Sequence, residues 1–353
     1  MDLPARIAAL RPRQPQNLAL KHFDAAWFAG LSHDEQRAFN LRIRSGIENP
    51  DSEMGCYALA AEDYNRFAPF FDRVIADHHG INLARVQRGI SSPENLEHNG
   101  SSDTLGTLSK RIRIGRNLAD LPLPGGMDRT QRVALENDVA TAVKEMPEHF
   151  QHFSLTPNHA KAIDKDTYGR LIGEHLFFKP MDTDPYLAAA GIAGDWPHGR
   201  AAFVSADKAT LLWVNEEDHL RLMVMDKTLP LGALLERLMA LEAALKTALG
   251  TPFATNERLG FITSCPTNIG TALRASIHVP LPRLIAREGL AGLKGRAAAF
   301  GLAVRGLGGE HTGAGADGMV DLSPRARLGV SAPQIIGSLQ TGVAQLLAEE
   351  RAA

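Results

Sequence analysis

Ala272-Leu-Arg-Ala-Ser-Ile-His-Val-Pro-Leu281 alternates strictly. Leu273, Ala275, Ile277 and Val279 fall on one side, and Arg274, Ser276 and His278 on the other. A period of two predicts a strand with one apolar and one polar face. Leu108–Arg116 (LSKRIRIGR) repeats the pattern, with Arg111 and Arg113 opposite Ile112 and Ile114. Thr210–Asn215 (TLLWVN) and His219–Asp226 (HLRLMVMD) are apolar runs joined by an acidic turn. Ala297–Gly306 (AAAFGLAVRG) reads as a further strand ending at Arg305. Thr228–Gly250 reads as a helix: Thr228 caps, Pro230 lies near the start, Gly250 ends it, and Leu231, Leu234, Leu238, Leu241 and Leu245 form one stripe. A last helix runs from about Pro333 to the C-terminus. Strands and helices do not alternate regularly, so the expected class is α+β with a largely antiparallel sheet.

Upstream of these segments the pattern changes. Residues 1–75 read as a small helical domain, and Ser32 with Glu35 three residues later predicts a capped helix start. The Ser-, Asn- and Gly-rich stretch 76–106 reads as a linker, leaving 107–353 as the larger domain. With 353 residues, two domains fit; 44% hydrophobic and 22% charged residues exclude disorder and collagen-like structure. The net charge of −2 gives no global field for nucleic acid or an anionic membrane. Cys56 and Cys265 are too few for a disulfide framework. The opening residues lack a secretory apolar core, and the longest uncharged stretch, Leu328–Ala348, reads as an amphipathic helix and not a membrane span. A reducing cytoplasm is the expected compartment.

Four groupings could carry chemistry. Arg111, Arg113, Arg221, Arg274 and Arg305 lie on or at the ends of expected strands. Guanidinium forks match phosphate oxygens, and convergence on one sheet face would suit a polyanion such as a nucleoside triphosphate. A solvated face with ion pairs is the alternative. Asn215-Glu-Glu-Asp-His219 could be a plain solvated turn, or could offer a carboxylate that binds a cation and takes a proton. Cys265 precedes Pro266-Thr267-Asn268. It reads either as a small buried hydrophobe or as a thiolate whose pKa is lowered by the neighbouring hydroxyl and amide groups. Arg305-Gly306-Leu-Gly308-Gly309-Glu310 is a Gly-rich segment without the Walker A pattern, able to deliver Glu310 on a mobile loop.

Together these segments resemble the phosphagen (guanidino) kinases, the arginine kinases most closely. The resemblance lies in CPTNIGT (265–271), NEEDHLR (215–221), SKRIRIGR (109–116), RGLGGEHT (305–312), and the substrate-loop-like segment Ser45–Asp72. It implies an all-α N-terminal domain before an antiparallel sheet flanked by helices. The implied reaction is reversible: ATP and L-arginine give ADP and phospho-L-arginine, with Mg²⁺, in a phosphagen-buffering role. By the same likeness, Glu217, Glu310 and Cys265 clamp the guanidinium and act in catalysis. Ser109, Arg111, Arg113, His175, Arg221, Arg274, Ser276, His278, Arg305, Gly306, Gly308 and Gly309 bind nucleotide. Ser52, Met54 and Tyr57 belong to the loop around the substrate's carboxylate end. Glu216 and Asp218 could act on the water around Mg²⁺, which needs no dedicated protein cage. Glu310 favours arginine. Glu53, where Gly is usual, the long Met181–Tyr186 segment and Gly308 leave open another guanidino compound such as taurocyamine. A protein-arginine kinase shares the catalytic motifs but lacks the small domain. A non-catalytic sensor would be expected to lose a clamp carboxylate or a phosphate arginine. The expected assembly is a monomer or homodimer.

Overall fold

The computed structural model describes residues 2–86, 108–306 and 313–353. Of the expected linker 76–106, residues 76–79 instead complete the helix Ala68–His79, Leu83 and Val86 pack on the small core, and 87–106 lie outside the described residues, as do Gly308, Gly309 and Glu310.

The first part is helical throughout: α1 (Leu3–Leu10), α2 (Leu18–His22), α3 (Ala25–Ala29), α4 (His33–Glu48), α5 (Asp63–Arg66) and α6 (Ala68–His79). Asp2, Asn17, Asp24 and Ser32 each accept a backbone N–H at a helix start, and Ser32 with Glu35 forms the expected reciprocal cap. Phe39 is the hub of the small core, with its ring 5.1 Å from Trp27 and 4.9 Å from Phe70. Gly80, in the left-handed region at φ 63°, ends α6.

The second part holds β1 (Lys110–Arg116), α7 (Arg129–Ala142), β2 (Phe150–Ser154), α8 (Lys165–Gly173), α9 (Pro185–Ala189), β3 (Ala201–Ser205), β4 (Thr210–Val214), β5 (Leu220–Asp226), α10 (Leu231–Leu249), β6 (Thr255–Asn256), β7 (Gly260–Phe261), β8 (Leu273–Pro280), α11 (Pro282–Ala299), β9 (Leu302–Arg305), β10 (Met319–Pro324) and α12 (Ala332–Ala352). Eight strands form one sheet in the order β2-β3-β4-β5-β1-β8-β10-β9, every neighbouring pair antiparallel. The expected α+β class holds. One sheet face presents Ile112, Ile114, Leu222, Val224, Ala275, Ile277 and Val279 to α7, α10, α11 and α12. The leucine stripe of α10 is buried in that layer, as its spacing predicts.

Two local expectations fail. Thr228 does not cap α10, whose N-cap position is Pro230; its N–H and hydroxyl instead donate to Asp226 in a turn. The strand expected from Ala297 begins only at Leu302. Ala297–Ala299 finish α11, and Gly301 at φ 70° turns the chain between the two.

Several contacts fasten the small unit to the large one, among them the bond from Leu123 N–H to Leu59 O and the Arg258–Asp72 ion pair. Leu259, Ile262, Cys265, Ile269 and Leu328 pack into the small core beside Tyr64 and Phe71. On α4, Arg44 donates to Ala189 O, Ser45 Oγ to Tyr186 O at 3.0 Å, and Asn49 Nδ2 to Pro185 O at 3.0 Å. The long 181–186 segment leads into α9 and supplies two of those acceptors.

Candidate active site

Antiparallel partners share a sheet face, so register decides which polar side chains meet. Arg111 lies opposite Ser276 and Arg113 opposite Arg274. Gly115 lies opposite Arg221, and Asp321 lies opposite both His278 and Arg305. Period two therefore gathers all five expected arginines, with Ser276 and His278, on the face away from the helical layer. Arg274 Nη2 is 3.2 Å and Arg111 Nη2 3.7 Å from Asp321 Oδ2. Burial, with Arg221 and Arg274 nearby, holds the pKa of Arg113 well below its usual value. Burial opposes the charge of Arg221 too, but Glu216, Glu217 and Asp218 outweigh it and hold that pKa up. A face that crowds guanidinia in this way favours an anion with several charges.

Arg221 joins this face to the acidic turn. Its Nη1 is 2.7 Å from Glu216 Oε2 and its Nη2 3.6 Å from Glu217 Oε2. The turn is held from below. Asn215 takes φ 55° and donates to Arg132 O and Gly199 O. His219 accepts Leu118 N–H at Nδ1, and its Nε2 lies 2.8 Å from Pro122 O, which sets the tautomer with the proton on Nε2. Burial lowers the His219 pKa to about 4, so the ring is a neutral strut. Asp218 Oδ1 accepts from Asn117 Nδ2 at 2.7 Å and Ser264 N at 2.8 Å. Asp218 thus ties the acidic turn to the cysteine segment. Gly115 is required beneath it, because a Cβ there would lie 2.9 Å from Asp218 Oδ2.

Glu217 meets the cysteine segment through Asn268 Nδ2, 3.3 Å from its Oε1. Burial pushes its pKa up to about 7, against the pull of Arg221. Thr267 Oγ1 donates to Cys265 Sγ at 3.2 Å. The expectation of a lowered Cys265 pKa is corrected. Burial and the charge of Glu217 outweigh the Thr267 bonds and raise it well above a free thiol's. The ligand-free residue is a thiol, and a cation beside it would act in the opposite direction, favouring the thiolate.

From the small unit, Tyr57 faces this pair; burial, then Cys265 and Glu217, raise its pKa. Ser52 Oγ accepts Gly55 N–H inside its own loop, and Met54 is buried in the small core. The loop is pressed between the start of α2 and α4: a Cβ on Gly55 would lie 2.5 Å from Asn17 Oδ1 and 3.0 Å from Gly46 Cα, and Gly55 takes φ 72°. Ala58 N–H donates to Ser264 O and Tyr64 OH to Thr263 O, pinning the two residues that lead into Cys265. Ser109 enters through its carbonyl, which accepts His278 N–H. His175 is exposed at φ 59°. Burial and then Arg111 lower the His278 pKa, against Asp321. Gly306 is buried at the end of β9.

Two residues here gave no signal in the sequence. Asp321 is a single acid in an apolar strand, legible only once β10 is in register with β8. Arg327 is buried, with its guanidinium on Pro324 O and Ala326 O, and burial followed by Arg274 and Arg305 lowers its pKa to about 9. No helix among the described residues is long and apolar enough to cross a membrane.

Comparison with known proteins gives this geometry its context. The family model of the ATP:guanido phosphotransferase C-terminal catalytic domain matches residues 134–353, and that of the N-terminal domain matches residues 14–76. The chain is 35% identical to an arginine kinase of Limulus polyphemus and 34% identical to one of Penaeus japonicus, each over 88% of this chain and 85% of the relative. Its structure is similar to the substrate-free duplicated taurocyamine kinase of Schistosoma mansoni, with a TM-score of 0.80, 28% identity and coverage of 99% of this chain and 49% of that one. A lombricine kinase gives a TM-score of 0.78 at 28% identity, covering 89% and 85%. With both domain models matched in order, and an arginine-lined sheet face joined to an acidic turn, the chain belongs to the ATP:guanido phosphotransferase family, the phosphagen kinases, which move phosphoryl groups between ATP and guanidino compounds.

Proposed function

We propose that this enzyme reversibly phosphorylates free L-arginine with ATP, giving ADP and phospho-L-arginine, in a cytoplasmic phosphagen-buffering role. The observation that supports it most is Arg221, shared between the arginine face and Glu217. A phosphate chain on that face would end beside a carboxylate suited to a guanidinium. Identity of 34–36% to several arginine kinases favours arginine over other guanidino acceptors.

In this reading Arg111, Arg113, Arg221, Arg274 and Arg305 hold the phosphates. Ser109, His175, Ser276, His278, Gly306, Gly308 and Gly309 line the nucleotide. Glu217, Cys265 and Glu310 grip the guanidinium, while Ser52, Met54 and Tyr57 hold the far end of the substrate. Residues 1–86 form the substrate domain, 87–106 the linker and 107–353 the catalytic domain. The guanidino nitrogen forms a bond to the γ-phosphorus as the bond to the β–γ bridging oxygen breaks, and the electron pair leaves with ADP. The nitrogen's proton passes to Glu217, whose pKa of about 7 suits both accepting and returning it. Positioning and charge stabilisation supply the rest of the rate.

The nearby carboxylates are already committed, Glu216 and Asp321 to arginines and Asp218 to Asn117 and Ser264. Mg²⁺ therefore fits as an ion held by phosphate oxygens and water, where it would neutralise charge on the leaving phosphates.

Taurocyamine or lombricine is the second reading, favoured by the two structural neighbours and by Glu53 in the substrate loop. A coupled ATP-consumption assay across arginine, taurocyamine, creatine, glycocyamine and lombricine decides between them. Fast turnover with arginine alone is expected. Turnover only with another compound overturns the arginine assignment, and phosphorylation of protein arginine without free arginine overturns the small-molecule reading.

A further inference from the structure

On the far side of the sheet from β9, three side chains that the phosphoryl chemistry does not use converge. Glu136 projects from α7, His152 from β2, and His159 from the turn after β2. One carboxylate oxygen and one nitrogen from each ring lie within 4.8 Å of one another.

Glu136 is fully buried, and His152 is its sole ionic partner among the described residues, with Nε2 3.3 Å from Oε1. Lysine and arginine are both missing from that set. A carboxylate out of water needs donors and a compensating cation; His152, Ser154 and Thr156 supply the donors and hold its pKa down against burial. It is also held in a fixed orientation. Thr156 Oγ1 donates to Oε2 at 2.5 Å and itself accepts Gly199 N–H at 2.7 Å, which leaves Oε1 turned toward the imidazoles. The His152 ring is stacked on Phe203 at 4.3 Å, and the His159 ring lies 5.0 Å from it. Fixed ligands with an orienting hydroxyl behind the carboxylate are the ordinary construction of a metal site.

We propose that Glu136, His152 and His159 bind one divalent transition cation of the zinc class, with water completing the shell. Two imidazoles and a carboxylate suit Zn²⁺, whereas Mg²⁺ and Ca²⁺ take oxygen ligands. His159 Nδ1 accepts Lys161 N–H at 3.0 Å. Ligation at Nε2 moves the ring proton to Nδ1 and gives up that bond, so the turn after β2 rearranges as the metal enters. The site is separate from the nucleotide face. Bound metal would join α7 to the edge strand β2 and, through Thr156, brace the turn at Gly199 whose carbonyl accepts from Asn215.

The test is calorimetric titration of the full chain with Zn²⁺, alongside Co²⁺ as a spectroscopic stand-in. One ion per chain, visible Co²⁺ ligand-field bands and a raised thermal midpoint are expected. His159→Ala and His152→Gln should each weaken binding by about tenfold or more and remove the bands, while the exposed His33→Ala should bind as the parent does. His159 is only partly buried, so that variant decides the matter if His152→Gln fails to fold. Parent binding weaker than about 1 mM, with no Co²⁺ bands, overturns the proposal, on the scale where 1 mM corresponds to about 4 kcal/mol. So does binding unchanged in His159→Ala.

Discussion

Glu217 is pulled two ways, by burial toward the neutral acid and by Arg221 toward the anion, and burial prevails. Its folded-state pKa of about 7 lies above the ordinary 4.5, so the folded chain holds more protons than the unfolded one between those values. The stability this gives is complete below pH 4.5 and is lost as pH rises through 7. Glu217→Gln, which cannot ionise, should therefore melt higher than the parent at pH 8 and with it at pH 4, as scanning calorimetry would show. The same change should cut kcat by about 10²–10⁴ and leave nucleotide affinity within about threefold; near-normal turnover would remove Glu217 from the chemistry. Cys265 gives a second check at this scale. Its raised pKa and burial predict slower alkylation than a free thiol at pH 8. Guanidino substrate with MgADP and nitrate should slow it further, by mass-spectrometric labelling. Labelling as fast as free cysteine would show that the thiol is open and ionised.

Among the elements, α12 lies across the core face and starts at a reciprocal cap between Ser331 and Gln334. Ser331→Ala should cost about 1 kcal/mol, read as a lower urea midpoint with an unchanged slope. The strands show what the amino-acid order does and does not reveal. Strict alternation in 272–281 and 108–116 is enough to put Arg111, Arg113 and Arg274 on the polar side, because a period of two has one outcome once the other side is apolar. The acidic turn was legible as a connection between β4 and β5. Asp321 was not, since a single acid has no periodicity and its meaning comes from a strand far away in the chain. The start of β9 was missed because Ala-Ala-Ala-Phe suits a helix end as well as a strand, and the turn at Gly301 arbitrates. The two readings of Cys265 stay open in the amino-acid order for a related reason. Thr267 is visible beside it, but the burial imposed by Tyr57 and Tyr64 comes from packing at long range.

At the scale of the whole molecule, the arginine face is repulsive within itself until an anion arrives. A ligand that binds only the folded chain stabilises it by mass action, about 2.7 kcal/mol at a hundred times Kd. ATP should therefore raise the thermal midpoint in a concentration-dependent way. Arg274→Ala should abolish most of that rise, and an equal rise in the variant would argue against this face as the nucleotide seat. The attachment of α4 to α9 has another consequence. At three bonds the small unit contributes side chains, Arg44, Ser45 and Asn49, and the large unit answers with the carbonyls of Ala189, Tyr186 and Pro185; at a fourth the Tyr186 hydroxyl donates to Asp51 Oδ2 at 2.8 Å. Every amino acid brings a carbonyl, so apart from Tyr186, whose hydroxyl serves Asp51, the 185–189 surface can drift in sequence without losing these bonds. Most of the mutational fragility falls on the other partner. Exchanging Arg44 and Asn49 for alanine should loosen the joint, seen as faster proteolysis of the connecting segment, while Ala189→Ser should leave it intact.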